Sequence, residues 1–316
     1  MPIQPRVQTF LSLGPHGFHR LAYTDWGDPA NPHVVVCLHG LTRNSRDFDY
    51  LAARLARHCR VVCMDVVGRG ASEWLAHQPD YGFALYQSDA AALLARVLDN
   101  APAAALGRFL RRLIARAGAA RVDWVGTSMG GLIGMMLASK PASPIAGLVL
   151  NDVGPLVPWP ALLRLKSVHA SVGARFPDLA AVEQHLRQAC ASFGPLTDAQ
   201  WRHVARHSAQ AAPQGGYMLA YDPGIVGALR RGNQGDLEFG SDFLAGVDLW
   251  PVWDAIRCPT LVLRGAESDL LLESTAARMR ESGPHARVVT FPGIGHAPWL
   301  MADDQIRVVH DFLLAR

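Results

Sequence analysis

The chain has 316 residues, half of them hydrophobic and 18% charged, with 30 basic residues against 27 acidic ones. That composition fits a globular protein with a large core and excludes a disordered or low-complexity chain. No uncharged apolar run is long enough to span a membrane. The net charge of +3 is accompanied by dispersed acids and no binding motif, which sets a nucleic-acid surface aside.

Two extended segments come first, "RVQTFLSL" and "HRLAYTDWG", with "GPHG" between them as a hairpin signal. The opening "MPIQPRVQTF" lacks the charged-then-apolar pattern of a signal peptide, so a cytoplasmic location is expected. Four apolar runs follow at 33–40, 60–68, 121–128 and 145–154, separated by helix-like stretches. They are rich in β-branched residues and do not alternate with polar ones, which predicts a parallel sheet covered on both faces. Before the third run, the stretch 100–118 is longer than such a connection needs, and it contains the Arg-rich "GRFLRRLIAR". Arginine alternates there with apolar residues at helical spacing, which reads as a helix with a solvated basic face. Two more strand-like runs, "CPTLVLRG" and "ARVVTFPG", appear late, and "DDQIRVVHDFLLAR" closes the chain as a helix.

Between about 155 and 250 the strand pattern disappears, leaving helix-like stretches such as "LAAVEQHLRQACASF" and "TDAQWRHVARHSAQ". The predicted organisation is a mostly parallel α/β core (1–154 and 251–316) with a helical cap (155–250) inserted after the sixth strand. Ligands of open α/β sheets bind at the carboxyl edge, where this insertion begins. The five cysteines are odd in number and irregularly spaced, and two lie inside apolar runs, which favours buried free thiols over disulfides.

The chemistry concentrates at "VGTSMGG" (125–131). A strand-like run turns there at once into an unbroken apolar helix, and Gly126 and Gly130 stand two residues either side of Ser128. G-x-S-x-G at such a joint is a nucleophile elbow, in which the sharp turn lifts the serine hydroxyl clear of the sheet. A serine nucleophile needs a base and an orienting acid, in the chain order Ser, acid, His. Of thirteen histidines, His296 in "FPGIGHAPWL" sits in a tight loop after the last strand, on the serine's side of the sheet. Asp269 in "LRGAESDLL" follows a strand directly and is the first choice for the acid, with Glu267 and Asp152 as alternatives. Backbone N–H groups of Leu41 and Met129 are the expected oxyanion donors. His39 beside them reads as loop support that transfers no proton. Arg43, Trp159 and Trp299 are the candidate substrate contacts, and Arg43 is suited to a substrate carboxylate. His203 and His207 stand four apart on a helix, but Val204 occupies the position where a zincin motif needs glutamate, so no metal is expected. With no Walker A and no G-x-G-x-x-G after the first parallel run, no cofactor is implied either.

Taken together, "HGLTRN", "DVVGRGAS", "GTSMGG", "LRGAESD" and "GIGHAP" occur in the order found in the α/β-hydrolase superfamily, which the chain resembles along nearly its whole length. The resemblance implies a serine hydrolase of the α/β-hydrolase fold with a helical cap, acting on a carboxylic ester or lactone. The alternatives it leaves open are a C–C-bond hydrolase for carboxylate-bearing substrates and a cofactor-free perhydrolase or haloperoxidase. A hydrolase-like ligand receptor is the non-enzymatic one.

Overall fold

A computed structural model describes residues 4–99, 121–158, 173–225, 227 and 248–315. The Arg-rich stretch 100–118 and Trp159 lie outside the described residues. Eight strands form the central sheet: β1 (Arg6–Gly14), β2 (Gly17–Trp26), β3 (His33–Leu38), β4 (Arg60–Asp65), β5 (Arg121–Thr127), β6 (Ile145–Asn151), β9 (Thr260–Gly265) and β10 (Arg287–Phe291). Their order is β1-β2-β4-β3-β5-β6-β9-β10. The hairpin β1–β2 and the β2–β4 pair are antiparallel, and every other pairing is parallel.

Strand β3 shows why these runs carry no polar alternation. Val34, Val36 and Leu38 enter one core cluster, while Val35 and Cys37 enter the other, on the opposite face. A strand covered on both sides has no wet face on which to spend polar residues. Helices α2 (Phe83–Asp99) and α3 (Met129–Ala138) supply residues to the first cluster. Helices α1 (Asp49–Leu55) and α8 (Asp303–Leu314) supply the second. Helix α3 is apolar almost all round, because it lies buried against the sheet.

Between β6 and β9 lie α4 (Leu179–Ala189), α5 (Asp198–Ser208) and α6 (Trp250–Ala255). The N-cap of α4 is Asp178, and that of α5 is Thr197, whose capping box with Gln200 satisfies two orphan donors. Val182, Leu186, Trp201 and Val204 on these helices pack with Trp299 and Met301 of the core. One expectation needs correcting. The stretch 155–250 is not free of strands, since β7 (Ala209–Ala211) and β8 (Tyr217–Leu219) form a short antiparallel ribbon. Three-residue strands leave too brief an alternation to be read from sequence. Helix α7 (Glu273–Glu281) joins β9 to β10. No helix among the described residues is long and apolar enough to cross a membrane.

Strand order reverses between β3 and β5, because the chain leaves β3 towards β4 and then returns across it to β5. The carboxyl ends of β3 and β5 therefore open side by side, the topological switch point where α/β sheets hold ligands.

Candidate active site

Ser128 sits at the joint of β5 and α3 with φ 51° and ψ −117°, a strained conformation for a residue with a side chain. Such geometry costs on the order of 1–3 kcal/mol and persists only where the surroundings enforce it. The glycines make it possible. A Cβ on Gly126 would lie 2.3 Å from the Gly130 carbonyl oxygen, and one on Gly130 would lie 2.0 Å from that of Leu38. The elbow is packed backbone against backbone, which only glycine allows.

From Ser128 a hydrogen-bonded line runs inward. Its Oγ lies 2.9 Å from His296 Nε2, and His296 Nδ1 lies 2.8 Å from Asp152 Oδ2. Asp152 follows β6 directly and is fully buried. The Gly265 N–H donates to its Oδ1 at 2.8 Å, and the Ser268 hydroxyl donates to its Oδ2 at 2.5 Å. The acid at His296 is therefore Asp152, and Asp269 is corrected. Asp269 and Glu267 are both exposed, whereas His296 and Asp152 are buried. The reason lies in the sheet. Strands β6 and β9 are neighbours, so the loops after both reach the same place. The loop after β9 supplies the cradle for the carboxylate, and the loop after β6 supplies the carboxylate itself. Asn151 ties the parts together, donating through Nδ2 to Thr127 Oγ1 on the elbow strand and to the Pro298 carbonyl on the histidine loop.

The loop after β3 is held with comparable care. His39 is fully buried, and it accepts the Val66 N–H at Nε2 (3.0 Å), which leaves the Nδ1 proton for the Gly40 carbonyl at 2.7 Å. The Arg43 N–H donates to the same carbonyl. In a trans peptide the C=O and N–H point opposite ways, so pinning the Gly40 oxygen directs the Leu41 N–H to the other side. The Met129 N–H belongs to the first turn of α3, where N–H groups have no intrahelical partner. Arg69, which the sequence reading did not single out, is fully buried behind this loop. It donates to the carbonyls of Leu41 (2.9 Å) and Val67 (2.7 Å), with its guanidinium 4.7 Å from the Tyr86 ring centroid. A cation between two glycines in "GRG" was the available signal.

Burial lowers the pKa of His39 to about 3, because the imidazolium would lose its hydration. The unfolded chain takes up a proton near 6.5, whereas the folded one does not until about 3. A depressed histidine therefore contributes stability above pH 6.5 and loses it as pH falls through that window, by up to about 1.4 kcal/mol per pH unit. The thermal midpoint should fall less steeply from pH 6.5 to 4 in His39→Gln than in the wild type. Parallel slopes in the two proteins would contradict this.

A cavity of about 120 Å³ lies over Ser128 and His296. Leu41 and Arg43 border it from the core, and His185, Cys190 and Phe193 from the opposite side. Burial lowers the pKa of His185, so it presents a neutral imidazole. Arg43 is engaged, donating through Nε and Nη2 to Asp47 at 2.8 and 2.5 Å. Trp299 does not border the cavity. It is buried behind Arg43, 5.3 Å from ring centroid to guanidinium, and packs against Phe193 and Trp201. Its place in the core cluster explains the correction, since aromatics among apolar neighbours serve packing. His203 and His207 do meet a third potential ligand, Asp49, with donor atoms within 4.8 Å of one another. The Arg46 guanidinium already bonds both Asp49 oxygens, so a cation there would face a fixed positive charge.

A serine hydroxyl and an imidazole bordering a cavity, with a buried carboxylate behind the imidazole, can carry out nucleophilic acyl transfer. The known proteins that the chain resembles include hydrolases. The model of the Alpha/beta hydrolase family matches residues 35–309. A 3-hydroxybutyrate-oligomer hydrolase of Cupriavidus necator is 40% identical over 317 residues, covering 99% of each chain. A 2-(acetamidomethylene)succinate hydrolase of Mesorhizobium japonicum is 24% identical, covering 83% of this chain and 81% of its own. The crystal structure of an alpha/beta hydrolase from Novosphingobium aromaticivorans superposes with a TM-score of 0.74 at 32% identity, covering 98% and 99% of the two chains. The chain belongs to the alpha/beta hydrolase family.

Proposed function

We propose that the protein is a carboxylic ester hydrolase that cleaves short oligoesters of 3-hydroxybutyrate. The observation that carries the chemistry is the unbroken line from Ser128 Oγ through His296 to Asp152. His296 Nε2 takes the serine proton as Oγ attacks the ester carbonyl, and Asp152 holds the Nδ1–H tautomer and stabilises the imidazolium. The Leu41 and Met129 N–H groups receive the oxyanion. His296 then gives its proton to the departing alcohol, leaving an acyl-enzyme. Water, deprotonated by the same imidazole, cleaves it to acid and free Ser128. His185, Leu186, Cys190 and Phe193 of the insert cover the cavity and keep the acyl group apart from bulk water.

The substrate reading draws on the Cupriavidus relative, which is similar over its full length. An apolar cavity with few charges suits a short, uncharged acyl chain. The carboxylate-directed alternative has less support, because the Arg43 guanidinium is neutralised by Asp47. The test is to incubate the purified protein with linear 3-hydroxybutyrate dimer and trimer, a butyrate ester and a lactone, and quantify free acid by chromatography. Release of 3-hydroxybutyrate from dimer and trimer is expected. Cleavage of the butyrate ester without any attack on the oligomers would overturn the substrate while leaving the hydrolase chemistry in place.

A further inference from the structure

We infer that Ser208 recognises the oxygen on the β-carbon of the acyl chain, and so distinguishes 3-hydroxyacyl esters from plain alkanoyl esters; this rests on the substrate reading above. Ser208 is the last residue of α5, is 6% exposed, and borders the same cavity as Ser128 and His296. Its Oγ is buried and has no hydrogen-bond partner among the described residues. Buried hydroxyls are almost always paired, because one stripped of water and left unpaired costs stability. A hydroxyl kept in that condition beside a catalytic cavity is satisfied when a bound molecule brings an oxygen to it.

The backbone around Ser208 is fixed for the purpose. Its carbonyl accepts the Ala220 N–H at 2.8 Å, and the preceding His207 carbonyl accepts Asn44 Nδ2 at 2.8 Å. Asn44 belongs to the loop that carries Leu41, so the serine is referenced to the oxyanion side of the site. Two other polar side chains of the wall are already engaged: Thr127 Oγ1 accepts from Asn151, and Arg43 is held by Asp47. Thr42, His185 and Tyr221 also border the cavity, between apolar stretches formed by Leu186, Phe193 and Leu219. A butyryl chain would leave the Ser208 hydroxyl unpaired. A 3-hydroxybutyryl chain carries an oxygen two carbons from the carbonyl under attack, as a free hydroxyl at the chain end or an ester oxygen within an oligomer. A serine hydroxyl can donate to either and accept from the former.

The test compares ethyl 3-hydroxybutyrate, as separate enantiomers, with ethyl butyrate, using wild type and Ser208→Ala in a pH-stat assay. The wild type should show a higher kcat/KM on one hydroxy enantiomer than on butyrate. Ser208→Ala should lower that ratio about tenfold, the scale of one neutral hydrogen bond, and bring the two enantiomers closer together. Its thermal midpoint should not fall, since an unpaired buried hydroxyl has been removed, and this separates recognition from structural damage. A wild-type preference that survives in Ser208→Ala overturns this inference alone. A wild type that shows no preference for the hydroxy ester overturns the hydroxyacyl reading, and this inference with it.

Discussion

Ser128→Ala is expected to lower kcat by at least a thousandfold on any ester the protein cleaves, with the fold retained. Without Oγ there is no nucleophile. The cavity and the oxyanion donors proposed above, the Leu41 and Met129 N–H groups, should supply only the residual acceleration that binding and oxyanion stabilisation give. Alanine occupies less space than serine but keeps the Cβ, so the φ of 51° stays strained and packing at Gly126 and Gly130 is undisturbed. Circular dichroism should be unchanged, and labelling by a fluorophosphonate probe should disappear. A variant that keeps a large share of wild-type turnover on p-nitrophenyl butyrate would rule out the acyl-enzyme route.

The second large effect separates two aspartates. Asp152→Asn should reduce kcat by about 10⁴, the scale seen when the orienting carboxylate of a triad becomes an amide and the imidazole adopts the wrong tautomer. An asparagine amide would present N–H where His296 Nδ1–H now finds an acceptor 2.8 Å away. It would also disturb the Gly265 and Ser268 donors. Asp269→Asn, on the exposed side of the same loop, should alter kcat by no more than a few-fold. KM should respond little in either case, because neither carboxylate borders the cavity. A severe loss in Asp269→Asn alongside a mild one in Asp152→Asn would return the role to Asp269.

Some of the protein was legible in order along the chain, because it depends on neighbouring residues. The elbow is one case: two glycines, a serine and the switch from strand to helix are contiguous, and steric exclusion at one joint dictates the pattern. The inner parallel strands β3, β4, β5, β6 and β9 are another, since burial on both faces leaves largely apolar runs that need no tertiary knowledge to read. The placement of His296 beside Ser128 followed from its loop after β10, and the hydrogen bonds of His39 to its loop from its place beside Gly40 at the end of β3.

The acid did not follow. Asp152 and Asp269 each stand just after a strand and between Ser128 and His296 in the chain, so local pattern treats them alike. Only the pairing of β6 with β9 places both loops at one point, and only packing decides which carboxylate is buried and which faces water. Asp152 goes inside because Gly265 and Ser268, more than a hundred residues away, provide donors that a desolvated carboxylate needs. The same holds for Arg69 behind the Leu41 loop and for Ser208 at the cavity wall. Sequence records residue types and their spacing, whereas the worth of a buried charge or hydroxyl depends on partners brought to it from elsewhere in the fold.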